Sequence, residues 1–228
     1  MRTASKILTI VTGSMVFSAG YPAAAQNAPA CPQVAGQPCT AGEQLTFEDI
    51  EVPVDQDRGV FIEQIGIGNR VEATQAGGAS SARIAQQGDD NRAEIDQSGG
   101  IHYAAVAQEG NDNGVTLDQD GTGQTALFLA QQGKANVADV LQRENGVPYS
   151  AAAISQSGNA NSLTLIQDGN DNQARLTQDG SGNAMTATQL GATNRLEWAQ
   201  AGDGLSDLQI EQSGGSTMYV LQTNSGGN

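Results

Sequence analysis

An all-β fold is what this sequence predicts: a β-solenoid of stacked strand-turn-strand repeats of about 22 residues, cross-β in type. Three observations predict it. Fifteen glutamines stand in register from Gln64 to Gln222, and most steps between them are 11 residues, the exceptions being 10, 12, 12 and 14. Gly falls two positions after thirteen of these glutamines, and Asn falls five positions after eight of them. Between these marks the residues alternate with period two, as in Asn91-Arg92-Ala93-Glu94-Ile95-Asp96-Gln97. A short fixed period means that each unit buries its apolar side only by stacking on its neighbours.

The segments follow in order. Residues 1–25 read as a secretory signal peptide: Arg2 and Lys6 form a basic start, Ile7 to Ala19 an apolar stretch, and Ala23-Ala24-Ala25 a small-residue cleavage site. No later segment is apolar enough for a transmembrane helix. Residues 26–59 lie outside the register and hold Pro29, Pro32, Pro38, Pro53 and the acids Glu48, Asp49, Glu51, Asp55 and Asp57. They read as an irregular leader with one short strand near Leu45–Phe47. Cys31 and Cys39, the only two cysteines, read as one local disulfide in an exported chain, with intermolecular pairing as the alternative. Residues 60–223 are the repeats, and 224–228 a flexible C-terminal tail.

Cleavage after residue 25 leaves eight basic and 25 acidic residues, a formal charge of −17. Such a chain has no basic stripe with which to neutralise phosphates, so nucleic acid is excluded as a partner. Anionic lipid repels it, and membrane insertion is not expected. Aromatics make up 4% of the residues and Gly is abundant, a composition that suggests disorder when taken alone. The strict register argues for order.

Alternation gives each strand one inward and one outward face. A helix is excluded, because Gly recurs every 11 residues and no stripe at three-to-four spacing appears. Gly88-Asp89-Asp90, Gly110-Asn111-Asp112 and Gly169-Asn170-Asp171 are the turns. The inward positions carry Ile84, Ile95, Val106, Leu117, Leu129, Val140, Leu165, Leu176 and Trp198 among others. Inward Gln and Asn cannot stay unpaired, since an unmet buried amide costs about 1–3 kcal/mol. Stacking identical amides one strand spacing apart satisfies them. The long 14-residue step adds three residues around Asn145-Gly146-Val147-Pro148.

His102, the single histidine, reads as a satisfied structural residue, since no partner recurs near it. Asp89, Asp90, Asp112, Asp168, Asp171 and Asp179 read as turn formers. The sequence offers no catalytic residues, no metal-binding or cofactor-binding residues and no cofactor, and an enzyme is not expected.

One motif is more specific. Ser80, Gln86, Gly88, Asn91, Ala93 and Gln97 spell S-x5-Q-x-G-x-x-N-x-A-x3-Q, and Ser150, Gln156, Gly158, Asn161, Leu163 and Gln167 spell it again with Leu for Ala. This resembles the curlin repeat of bacterial curli subunits, over about Gln64 to Gln222. The resemblance implies a secreted solenoid that self-associates into extracellular amyloid fibres at the cell surface, for adhesion and biofilm matrix. It implies a nucleator subunit and an outer-membrane secretion pore as partners. It also implies a structural ladder of Gln64, Asn69, Gln75, Ser80, Gln86, Asn91, Gln97, Gln108, Asn113, Gln119, Gln131, Asn136, Gln142, Ser150, Gln156, Asn161, Gln167, Asn172, Gln178, Asn183, Gln189, Asn194, Gln200 and Gln212. His102 and Thr125 occupy Ser slots. A monomeric, capped β-solenoid adhesin is the alternative, with the 26–59 leader as its cap.

Overall fold

The computed structural model describes residues 47–52, 57–77 and 79–224. The signal-peptide reading, the cysteine pair and most of the leader lie outside these residues, as do Leu45 and Thr46 of the expected short strand; Phe47 is not in a strand.

Among the described residues fifteen strands follow one another: β1 (Gly59–Ile65), β2 (Arg70–Gly77), β3 (Ser81–Gln87), β4 (Arg92–Gly99), β5 (Ile101–Asn111), β6 (Gly114–Asp120), β7 (Gln124–Lys134) and β8 (Val137–Arg143); then β9 (Ser150–Asn159), β10 (Ser162–Asp168), β11 (Gln173–Asp179), β12 (Ala184–Leu190), β13 (Arg195–Ala201), β14 (Ile210–Ser213) and β15 (Thr217–Thr223). The odd strands form an eight-stranded parallel sheet in sequence order, and the even strands a seven-stranded one. Each strand therefore pairs with the strand two further along, and the chain winds as a solenoid whose two sheets face each other.

The register follows the glutamines. Gln64 pairs with Gln86, Gln86 with Gln108, and Gln75 with Gln97, and so on through both sheets. Inward positions meet between the sheets. Ile84, Ile95, Leu117, Leu127, Leu129, Leu163, Leu165, Leu176, Leu196 and Trp198 are buried in one continuous core. Each such side chain contributes roughly 1.5–3 kcal/mol on full burial.

Turns hold the geometry. Gly at the second position after the anchoring Gln takes a positive φ through most of the array, and Asp90, Asp112, Ala135, Ala160, Asp171 and Thr193 take left-handed values of 55° to 61° two residues on. At Gly133, φ is 114°, and a Cβ would lie 2.0 Å from the Gly158 carbonyl oxygen of the next turn. Only glycine lets adjacent turns approach so closely. At Gln142 the second-position glycine is replaced by Glu144, and the long 144–149 loop begins there.

Alternation in the sequence shows one outward row, but the fold divides it between two faces. Ala85, Ala107 and Ala130 lie on the eight-stranded sheet, whereas Thr74, Asp96, Asp118 and Leu141 lie on the seven-stranded one. In this row the eight-stranded sheet thus presents three alanines, where the seven-stranded sheet presents Thr, two aspartates and Leu. A short segment, Phe47 to Val52, crosses the outer face of the eight-stranded sheet. Ile50 is buried there with Ala126 and Ala151, beside Val52, Tyr103, Phe128, Tyr149 and Ala153. Its backbone is fixed at both ends: Ile50 N donates to Gln173 Oε1 at 2.6 Å, and Tyr149 Oη donates to the Ile50 carbonyl at 2.8 Å. Arg175 donates to the Glu48 carbonyl and lies 5.7 Å from the Phe47 ring centroid, and Arg195 pairs with Asp49 at 2.9 Å.

Candidate functional site in the ladders and the open sheet ends

The anchoring glutamines form two ladders, one in each sheet. In the eight-stranded sheet, Gln64 Nε2 donates to Gln86 Oε1 at 2.6 Å, and the chain continues through Gln108, Gln131, Gln156, Gln178 and Gln200 to Gln222. In the other sheet, Gln75, Gln97, Gln119, Gln142, Gln167, Gln189 and Gln212 are linked at 2.7 to 2.8 Å. Every link runs the same way, the Nε2 of one rung donating to the Oε1 of the next towards the C-terminus. The second Nε2 hydrogen goes to a backbone carbonyl, as from Gln131 to Gly114 at 3.0 Å. A buried amide is thereby satisfied in both directions.

The arcs carry two further ladders of mixed chemistry. Asn69, Asn91, Asn113, Asn136, Asn161 and Asn183 stack on the first arc, each Oδ1 accepting from the backbone N–H of the next, at 3.0 Å from Asn91 and 3.1 Å from Asn113. Leu205 ends this stack by donating its N–H to Asn183 Oδ1, and its own side chain continues nothing. On the second arc, Ser80, His102, Thr125, Ser150, Asn172, Asn194 and Ser216 take the equivalent places. His102 N donates to Ser80 Oγ, Asn172 N to Ser150 Oγ, and Asn194 N to Asn172 Oδ1.

His102 is 1% exposed. Its Nδ1 lies 2.9 Å from Thr125 Oγ1 and its Nε2 2.8 Å from the Ser98 carbonyl. The Gly100 backbone N–H also points at Nε2, at 3.2 Å, so both ring nitrogens are held by hydrogen-bonding groups. Burial pushes the imidazole pKa down, against the Ser98 carbonyl and the charges of Asp120 and Asp118, which favour the protonated form.

Sequence reasoning missed three features. Glu144 has no exposed surface; it accepts from Ser150 Oγ, from Gly146 N at 3.0 Å and from Asp171 N at 3.1 Å. The broken Q-x-G at Gln142 marked this place. An exposed outer ladder runs along the first arc, where Asp89, Asn111, Asn159, Ser181 and Asp203 accept backbone N–H groups from the turn before. The docked Phe47–Val52 segment left no periodic trace.

Among the described residues, nothing pairs with the outer edges of β1 and β2 at one end or of β15 and β14 at the other. Ile62 is 50% exposed at the first rung, whereas Ile84 one rung inward is 2% exposed. At the other end Leu208 is 45% exposed, and the inward Met218 and Val220 of β15 are only partly buried. Among the described residues no donor reaches Gln64 Oε1 or Gln75 Oε1. The chemistry of the arrangement is that of strand addition: backbone edges, apolar inward side chains and unfinished amide ladders.

The fold and ladders together define a parallel β-solenoid held by stacked amides. The family model of the curlin associated repeat matches residues 66–99, 88–121 and 158–191, and the chain carries that repeat. The matched stretches contain β2 to β6 and β10 to β12 entire. No curated protein and no solved structure gives a significant match.

Proposed function

We propose that the chain is a secreted structural subunit that polymerises end to end into curli-like extracellular fibres, serving cell adhesion and biofilm matrix, and that it performs no catalysis. The observation that carries this reading is the pair of sheet ends that no described residue covers. Side chains that are buried in every inner rung stand exposed in the first one, and another copy of the same rung is the surface that fits them. The curlin associated repeat supports the same reading, because curli subunits are fibre subunits. Export, a nucleator and an outer-membrane pore belong to the proposal, as does the continuation of the structural ladder of Gln, Asn and Ser residues from one copy to the next.

Residues 26–228, purified in denaturant and desalted, test it by thioflavin T fluorescence with and without sonicated product. A lag abolished by seed is the expected result. A chain that folds into β structure and stays monomeric overturns the reading and favours the capped adhesin.

A further inference from the structure

Fifteen strands make seven and a half turns. The top of the eight-stranded sheet is β15 and the top of the seven-stranded sheet is β14, half a turn lower; the bottom is β1 with β2 half a turn above it. Suppose the next copy is placed without rotation, its β1 on β15. Its β2 then stands two strand spacings above β14, and the seven-stranded sheet has a vacant strand position at every junction. The edges facing that vacancy keep their N–H and C=O groups unpaired inside the stack. If the next copy is turned by half a revolution about the axis, its β1 lands on β14 and its β2 on β15, each one spacing away. The strand directions agree, because the two sheets run in opposite directions and the rotation exchanges them.

We propose that successive copies join in this way, each rotated by half a turn, so that the eight-stranded sheet of one molecule continues as the seven-stranded sheet of the next. The inference rests on the end-to-end reading above and adds the partner surface and its register. The inward side chains support it. Ile210 and Gln212 of β14 would meet Ile62 and Gln64, and Met218, Val220 and Gln222 of β15 would meet Val71, Ala73 and Gln75. Leu208 and Val60, both large and exposed, stand at the same place four residues before their glutamines.

The ladders have the right polarity. Each inner Nε2 donates towards the C-terminal end, as from Gln189 to Gln212 and from Gln200 to Gln222. Gln212 and Gln222 thus have the donor side of the ladder facing out, and Gln64 and Gln75 the acceptor oxygens. Head-to-tail stacking continues both ladders, whereas head-to-head stacking sets oxygen against oxygen. The arcs agree as well. Under the half turn Asn69 lies above Ser216, and its N–H faces a serine hydroxyl, as Asn172 N faces Ser150 Oγ. Without rotation Asn69 lies on the side of Leu205, which has no ladder group. One contact opposes the join: Glu63 and Glu211 meet on the outer surface, where solvent screening keeps the repulsion small.

Cysteine cross-linking in fibres decides the matter, in a Cys31→Ser, Cys39→Ser background. Glu63→Cys with Glu211→Cys, and Thr74→Cys with Leu221→Cys, place sulfurs on adjacent strands at the rotated junction, within disulfide reach. Glu63→Cys with Leu221→Cys does so only at an unrotated junction. Within one molecule the members of each pair sit at opposite ends, so every bond formed is between copies. The expected result, after assembly under reducing conditions and mild oxidation, is a ladder of oligomers on a non-reducing gel for the first two pairs and monomer for the third. Seeded fibres that cross-link only through the third pair, or through none, overturn the half-turn join and leave end-to-end assembly standing. A chain that forms no fibres by thioflavin T and electron microscopy overturns both.

Discussion

Ser150 donates its hydroxyl to Glu144 Oε2 at 2.5 Å, in the step from Gln142 to Gln156, where the second-position glycine is missing. The carboxylate stands where other rungs turn on glycine, and it gathers the N–H groups of Gly146 and Asp171 as well. Glu144→Ala leaves three donors without this acceptor. An unmet buried polar group costs about 1–3 kcal/mol, so the variant is expected to unfold at clearly lower urea. An unchanged denaturation midpoint would show that water replaces the carboxylate at no cost.

Gln131 is the middle of its ladder, bonded to Gln108 and Gln156. Gln131→Leu strands an amide on each side and is expected to lose about 1–3 kcal/mol. Gln132 next to it is exposed, and Gln132→Ala is expected to stay within about 0.5 kcal/mol. Equal urea midpoints for the two variants would remove the ladder from the stability argument.

Gly133 and Gly59 share nearly the same φ, 114° and 117°, but differ in surroundings: a Cβ at Gly133 strikes the Gly158 carbonyl, and at Gly59 it meets nothing within 4 Å. Gly59→Ala carries only left-handed strain, about 1–2 kcal/mol. Gly133→Ala adds a clash with the next turn, and the expected loss exceeds about 4 kcal/mol. Circular dichroism against temperature compares them, and a similar loss for both would mean that the turns can separate freely.

Tyr149 and Ile50 hold the leader segment to the solenoid. Tyr149→Phe removes the hydrogen bond to the Ile50 carbonyl at a cost of about 1 kcal/mol. Ile50→Asp places a charge against Ala126 and Ala151 and is expected to release the segment. Limited proteolysis reads this as faster cleavage between residues 47 and 58 with the solenoid intact. Unchanged cleavage in Ile50→Asp would show that the segment does not depend on this contact.

His102 sets a pH dependence. Its folded pKa lies below the unfolded value of 6.5, so the folded state takes up a proton less readily than the unfolded chain. Stability is then full above about pH 6.5 and falls as the pH drops through 6.5 towards the folded pKa. His102→Asn, which copies the residue at Asn172 and Asn194, is expected to remove that part of the slope. Urea midpoints at pH 7.5 and 5.5 for both proteins measure it, and parallel slopes would mean that Asp118 and Asp120 offset the burial of the ring.

Most of the architecture was legible because its cause is periodic. Gln86, Gly88 and Asn91 each recur at fixed intervals, and each interval translates into one contact: a ladder bond, a turn, an arc bond. His102 and Thr125 could be placed in the Ser slots by counting alone. Ile50 could not. Its partners Ala126, Ala151 and Gln173 are 76, 101 and 123 positions away and lie on one outer face, and an 11-residue row in the sequence mixes the two faces. Glu144 was visible as a missing glycine, but its burial depends on a loop folding back onto Ser150, which no period encodes.

The short β14 bears on mechanics. It pairs four residues with β12, where β13 and β15 pair seven. Hydrogen bonds between rungs lie along the solenoid axis, so a chain pulled by its C-terminus peels one rung at a time, and each rung resists in proportion to the bonds it breaks together. Beneath β15 the peeling front meets its weakest layer, and then a run of full-length strands. In an optical trap the force should therefore hold while β15 peels, dip at β14, and return to a higher, nearly even plateau through the rest.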